Sequence, residues 1–219
     1  MKNLIEKCVF IFFKRKIDFS CYSNYTLLII IFSKLINLIR AFLLTSKFGL
    51  IGKSSKVSNV KFNGSFNIGT NVKLFSPKAN LFTVGKGFSV GSFTVVEVTK
   101  NRVTNNSKII IGDDTGFSEF SYINGAGGLI IGNNVICGQY LSIHPENHII
   151  NSEVLFRFSG VTHKGIKIGN NVWIGSKVTI LDGSVIGDNC VIAAGAVVNG
   201  SFEKGVIIGG VPAKILKKI

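Results

Sequence analysis

Residues 168–198 read IGNNVWIGSKVTILDGSVIGDNCVIAAGAVV, and the spacing of their aliphatic side chains decides the fold. Ile168, Ile174, Ile180, Ile186, Ile192 and Val198 recur at intervals of six, and most are followed by Gly or Ala. The fifth place of each hexad is compact: Val172, Val178, Ser184, Cys190 and Ala196. An amphipathic helix repeats every three or four residues and a half-buried strand every two, so neither produces this beat. Six residues per flat side and three sides per coil describe a parallel β-helix, a prism whose coils bury their aliphatic residues against one another.

The beat continues upstream in triplets. Ile131, Cys137 and Ile143 form one; Ile111, Phe117 and Ile123 another; Val84, Val90 and Val96 a third; Ile68 and Leu74 begin a fourth. The phase slips by two residues at Gly125-Ala126-Gly127-Gly128 and by about twenty between Ile143 and Ile168. Slips of this kind mark loops that leave the stack and return, which is where repeat proteins carry function. The repeat is firm from residue 84 and is traced back to about residue 57. Twenty-five glycines and three prolines in 219 residues suit a chain of tight corners. Cys8, Cys21, Cys137 and Cys190 show no paired spacing and read as thiols in a reducing compartment, without a structural zinc site.

Residues 1–48 lack the hexad and form a separate extension, leaving 49–219 as the β-helix domain. Lys34 and Arg40 interrupt the greasy stretch Leu27–Leu44, and its longest uncharged part is short for a membrane span, which takes about 20 residues. Ser33, Asn37 and Arg40 form a polar stripe on an amphipathic helix. This basic segment suits the surface of an anionic membrane, or equally a cap over the open end of the prism. No small-residue cleavage site follows an apolar core, so a removed signal peptide is not expected. The formal charge of +14 is scattered and carries no nucleic-acid motif, which favours a small anionic ligand or an acidic membrane over DNA or RNA.

All three histidines, His144, His148 and His163, lie in or beside the long interruption. With them in view, the runs Ile168-Gly-Asn-Asn-Val-Trp-Ile-Gly-Ser, Val191-Ile-Ala-Ala-Gly-Ala-Val-Val and Gly210-Val-Pro-Ala-Lys resemble the hexapeptide-repeat acyltransferases. The loop Ser142-Ile-His-Pro-Glu-Asn-His-Ile is similar to their capsule, O-antigen and exopolysaccharide O-acetyltransferases. The resemblance covers roughly residues 50–219. It implies a left-handed β-helix, assembly as a homotrimer, and an acetyl-CoA groove between neighbouring prisms. It also implies a sugar acceptor, either free or lipid-linked, and a cytoplasmic location, peripheral at the inner face of the cell membrane if residues 1–48 bind there.

The resemblance maps the catalytic histidine onto His148, which takes the acceptor's proton as general base. His144 is its rival, and Glu146 is placed to orient a histidine. It sets Trp173 near the acceptor, unless the ring serves only subunit packing. Gly175, Ser176, Ala193 and Ala194 match positions along the pantetheine arm of acetyl-CoA, and Lys214 is a candidate for its phosphates. No metal is expected. N-acetylation of an amino sugar or nucleotide sugar is the nearest competitor on this fold. A γ-class carbonic anhydrase would need a histidine well upstream of His144, and the sequence has none. A non-catalytic scaffold would leave the loop histidines and Trp173 without a purpose.

Overall fold

The structure is a computed structural model that describes residues 23–99 and 104–219. Cys8, Cys21 and the N-terminal basic residues of the extension lie outside the described residues. From Gly49 onward the chain lays down strands of two or three residues in strict rotation over three faces, and every third strand pairs in parallel. This is the left-handed parallel β-helix that the hexads imply. It begins earlier than residue 57, since Gly49–Ile51 already pairs with Phe66–Ile68. The first face ends in an antiparallel hairpin, Val206–Gly210 with Ala213–Lys218, which closes the C-terminal end of the stack.

The register follows from the repeat. Ile168 lies over Ile186, Ile174 over Ile192 and Ile180 over Val198, each pair three hexads apart. Every leading hexad residue from Ile68 to Val198 named above is buried. Burying an aliphatic side chain of this size contributes roughly 1.5–3 kcal/mol relative to exposure, so the column of stacked side chains is the core. The corners between faces take the left-handed conformation, which Asn and Asp tolerate best; Asn71, Asp114, Asn134, Asn171 and Asn189 all have positive φ. At one edge the preceding residues form a ladder. Asp113 Oδ1 accepts from Lys86 N, Asn133 Oδ1 from Asp113 N, Asn170 Oδ1 from Asn133 N, and Asp188 Oδ1 from Asn170 N. Each coil thereby satisfies a backbone donor of the coil before it.

Cys137 and Cys190 occupy core positions as free thiols, and burial pushes the Cys137 thiol far above its ordinary pKa. They are packing residues.

The helix Asn24–Thr45 starts at Ser23, whose hydroxyl accepts from Thr26 N, and stops where Ser46 turns left-handed at φ 53°. It lies on the first coil. Ala41 is fully buried in the core, and the Arg40 guanidinium donates to the carbonyls of Gly52 and Ser55, both at 2.7 Å. Those carbonyls belong to the open end of the stack, where no preceding coil supplies donors. The stretch Tyr25–Thr45 is nevertheless long and apolar enough to cross a membrane, despite Lys34 and Arg40, and only 11% of it is buried. The charges therefore do not shorten the apolar stretch as far as the sequence suggests.

Candidate active site

The chemistry-bearing residues cluster where the fifth coil breaks open. Its second-face strand, Ser142–His144, continues the stack of Val95–Glu97 and Tyr122–Asn124, with Thr179–Leu181 on its other side. Alternation buries Ile143 and turns Ser142 and His144 outward. The Ser142 hydroxyl and His144 Nε2 are 2.7 Å apart, which holds the imidazole against the strand. The ring lies 5.8 Å from that of Tyr122, centroid to centroid. The Tyr122 hydroxyl in turn donates to Glu97 Oε1 and accepts from Asn124 Nδ2, while Lys73 pairs with Glu97 Oε2. His144 is thus the end of a connected polar strip that crosses four coils.

Burial, then the charge of Glu97, its hydrogen bond and the charge of Glu146 raise the Tyr122 pKa, with Asn124 pulling the other way. Glu146 therefore makes itself felt beside Tyr122, two residues past His144. Between them Pro145 is buried, and its carbonyl fills the place where a side chain at Gly127 would stand. The two-residue slip at Gly125–Gly128 is explained here: this corner widens to let the loop depart.

The loop leaves as a short antiparallel pair, Asn147–His148 with Val161–Thr162. His148 sits on it exposed, and beyond it Ile150, Leu155, Phe156 and Phe158 are all exposed. His163 lies on the return, partly buried, with its Nδ1 buried and lacking a hydrogen-bond partner.

Asp182 fixes that return. Its carboxylate accepts from Gly165 N at 2.8 Å, Lys164 N at 3.1 Å and Thr162 Oγ1 at 3.1 Å, and only 5% of the residue is exposed. Sequence reasoning missed this residue, because Leu-Asp-Gly resembles the corner acids elsewhere in the chain. A weak signal was available, since Asp182 is preceded by Leu and followed by Gly, whereas the corner acids Asp113 and Asp188 are preceded by Gly and followed by Asp or Asn.

The other predicted residues lie away from His144. Trp173 stands on the first face between Ile136 and Val191, 57% exposed. Gly175, Ser176, Ala193 and Ala194 line the edge between the first and second faces, and Lys214 lies exposed on the closing hairpin opposite Gly209. A Cβ at Gly175 would meet Ala194 N at 2.6 Å, so coil stacking alone requires that glycine. Ser176 donates to Gln139 Oε1 on the coil before. Lys218 is paired with Glu203. A single prism therefore divides the predicted site between two faces and their common edge. Among the described residues no group of three or more His, Cys, Asp or Glu is gathered as a metal site.

Comparison with known proteins agrees with this architecture. Residues 165–200 match the bacterial transferase hexapeptide family (six repeats). The chain is 26% identical over 167 residues to the putative lipopolysaccharide biosynthesis O-acetyl transferase WbbJ of Escherichia coli K12, covering 73% of this chain and 74% of that one. It is 33% identical over 133 residues to the galactoside O-acetyltransferase of the same organism, covering 60% of this chain and 57% of that one, little more than half its length. Among solved structures, a mutant form of AntD, an N-acyltransferase from Bacillus cereus in complex with dTDP-4-amino-4,6-dideoxyglucose and coenzyme A, aligns at TM-score 0.48 and 18% identity, over 90% of this chain and 89% of that one. By its repeat, its coil register and the match at 165–200, the chain resembles the hexapeptide-repeat transferases.

Proposed function

We propose that this protein is an acetyl-CoA-dependent O-acetyltransferase that modifies a sugar hydroxyl in bacterial surface polysaccharide synthesis. The observation that carries the proposal is the outward His144, held by Ser142 at 2.7 Å at the end of the Tyr122–Glu97 strip, beside the loop where the repeat breaks. The names of the two Escherichia coli relatives, both O-acetyltransferases, support the reaction class.

In the reaction the acceptor oxygen attacks the thioester carbonyl carbon as the carbon–sulfur bond breaks. The hydroxyl proton passes to the His144 nitrogen that Ser142 does not hold, and from there to the departing sulfur. The products are the sugar acetate and the free CoA thiol. A positioned base of this kind contributes about 10²–10⁴ in rate. His148, favoured on sequence, stands exposed on the hairpin and has no comparable anchor. The base is therefore assigned to His144, with His148 bordering the acceptor.

The active form is proposed as a homotrimer. Trp173 and His144 stand on different faces of one prism, so a neighbouring copy is needed to bring the two kinds of surface together. The exposed Ile150, Leu155, Phe156 and Phe158 on the loop are suited to that neighbour. The donor would lie along the edge that carries Ser176 and Ala194, with Lys214 toward its phosphates.

The test is thiol release from acetyl-CoA with hydroxyl and amino sugars as acceptors, using wild type, His144→Ala and His148→Ala. The expected result is turnover with a hydroxyl acceptor, a fall of about 10²-fold or more in kcat for His144→Ala, and a smaller effect for His148→Ala. Collapse only in the His148 variant would return the base to the hairpin. Turnover only with amino sugars would replace O- by N-acetylation.

A further inference from the structure

Charge is distributed along this prism very unevenly. Between Phe19 and Val96 the sequence has nine Lys or Arg and no Asp or Glu, whereas residues 97–219 carry eleven against nine. The N-terminal end of the stack and the helix upon it are thus a one-signed surface. Of its cations, Lys73 and Lys86 are paired with Glu97 and Asp113 of later coils. Lys34, Lys47, Lys53 and Lys56 are exposed.

The helix Asn24–Thr45 on that end is turned the opposite way from an ordinary surface helix. Its polar stripe turns toward the protein at Asn37, half-buried, and Arg40, spent on the carbonyls of Gly52 and Ser55, while Ser33 stays exposed. Its outer face is Leu28, Phe32, Leu35, Ile39 and Phe42, spaced by four, three, four and three residues, and each is about half exposed or more. In water such a stripe leaves apolar surface uncovered, which is unfavourable. Two open grooves that meet at Ile36 and Arg40 run along one side of the helix. One joins Ile36, Ile39 and Leu43 to Lys56, and the other joins Leu28, Ile29 and Phe32 to Lys53. Each is apolar inside with an ammonium at its rim, the pattern that matches an acyl chain beneath an anionic headgroup.

We propose that this end of the prism docks on a membrane rich in anionic lipid. The stripe enters the acyl boundary, and Lys47, Lys53 and Lys56 lie at phosphate level. The anchoring of Arg40 and Ala41 to the first coil decides the orientation. A helix threaded through the bilayer would have to give up both guanidinium hydrogen bonds, whereas a helix lying flat keeps them. The absence of acid from Phe19 to Val96 favours a lipid surface over a second copy of the chain, which would bring its own cations to face these.

The test is co-sedimentation of the full-length chain with vesicles of phosphatidylcholine alone and of phosphatidylcholine with phosphatidylglycerol, at low and high salt. Binding is expected only to the phosphatidylglycerol vesicles and is expected to weaken with salt. Exchanging Lys53 and Lys56 together for Ala should lower partitioning roughly thirtyfold, each lysine near such a surface being worth about fivefold. Phe32→Trp should show a blue-shifted emission on these vesicles, and Phe32→Ser with Leu35→Ser should abolish binding while circular dichroism stays unchanged. Equal binding to both vesicle types, or indifference to the lysine exchange, would overturn the proposal. So would stripe variants that change the oligomer's mass in light scattering and leave vesicle binding intact, since the stripe would then be a contact between copies.

Discussion

Replacing Asp182 by Ala removes the acceptor of three hydrogen bonds that pin the returning loop, from Gly165 N, Lys164 N and Thr162 Oγ1. Hydrogen bonds to a charged group contribute roughly 1.5–3 kcal/mol each, and three that share one carboxylate are not additive, so the expected local loss is about 2–4 kcal/mol. The coils on either side keep their own backbone ladders, and the loss should therefore be confined to the excursion. At about 1.4 kcal/mol per factor of ten, amide exchange at Lys164 and Gly165 should quicken by roughly 30- to 700-fold if opening is local. Hydrogen exchange read by mass spectrometry on peptides from 145–165 and from 166–200 makes the comparison directly. The proposed activity should fall with it, through looser placement of the hairpin and not through loss of the base. Exchange that stays within about threefold of wild type in the loop would refute the clamp. Exchange that accelerates equally across the coils would show Asp182 to be a general stability residue instead.

Two further outcomes follow from the same site. Tyr122 holds its proton to higher pH in the folded chain than its ordinary 10.0, chiefly through burial and Glu97, so its contribution to stability is complete below pH 10.0 and is lost as pH rises through the folded value. Urea midpoints measured from neutral into this alkaline range should fall more steeply for wild type than for Tyr122→Phe, and parallel curves would contradict the assignment. Gly127→Ala would place its Cβ 1.7 Å from the Pro145 carbonyl, whereas Gly195→Ala meets nothing within 4 Å and bears only the strain of φ +73°. Thermal melts should show the Gly127 variant to be the more destabilised, and its turnover should drop because Pro145 directly follows His144; equal melting losses would argue against this close packing.

How much was legible in the sequence depended on whether local periodicity carried the information. The hexads named the core residue by residue because a β-helix repeats its burial pattern faithfully along the chain, and even Cys137 and Cys190 fell where a buried side chain was required. The rhythm itself was traced back only to about residue 57, because Gly49–Ile51 has no preceding coil to reinforce it. The polar stripe of the helix was readable from Ser33, Asn37 and Arg40, but which way it faces depends on the unsatisfied carbonyls of Gly52 and Ser55, and no helical pattern encodes those. The histidines were found as a cluster and ranked by position in the loop. Their surroundings come from contacts distant in sequence: Tyr122 and Glu97 from earlier coils beside His144, and Val161 opposite His148. Asp182 was hidden for the same reason, since its partners come from the loop and its own hexad looks ordinary.

One edge of the prism links the repeat to the proposed chemistry. At the left-handed corner between the first and second faces, successive coils place Phe93, Phe120 and Tyr140, then Lys177 and Gly195, all with positive φ. Bulky residues are disfavoured in that conformation. The three rings offset the strain by stacking at 5.3 Å spacing, nearly parallel, while remaining about half exposed. The stack stops at the coil that carries His144. Beyond it the same edge carries Ser176, Ala194 and Gly195, small residues that leave the backbone open to approach. A donor lying along this edge would be obstructed by the rings on the N-terminal side and admitted on the C-terminal side, so its thioester end would come to rest at the boundary between them. That boundary is the coil of His144, from which the hairpin of His148 also departs, so the end of the aromatic stack and the break in the repeat fall on one coil.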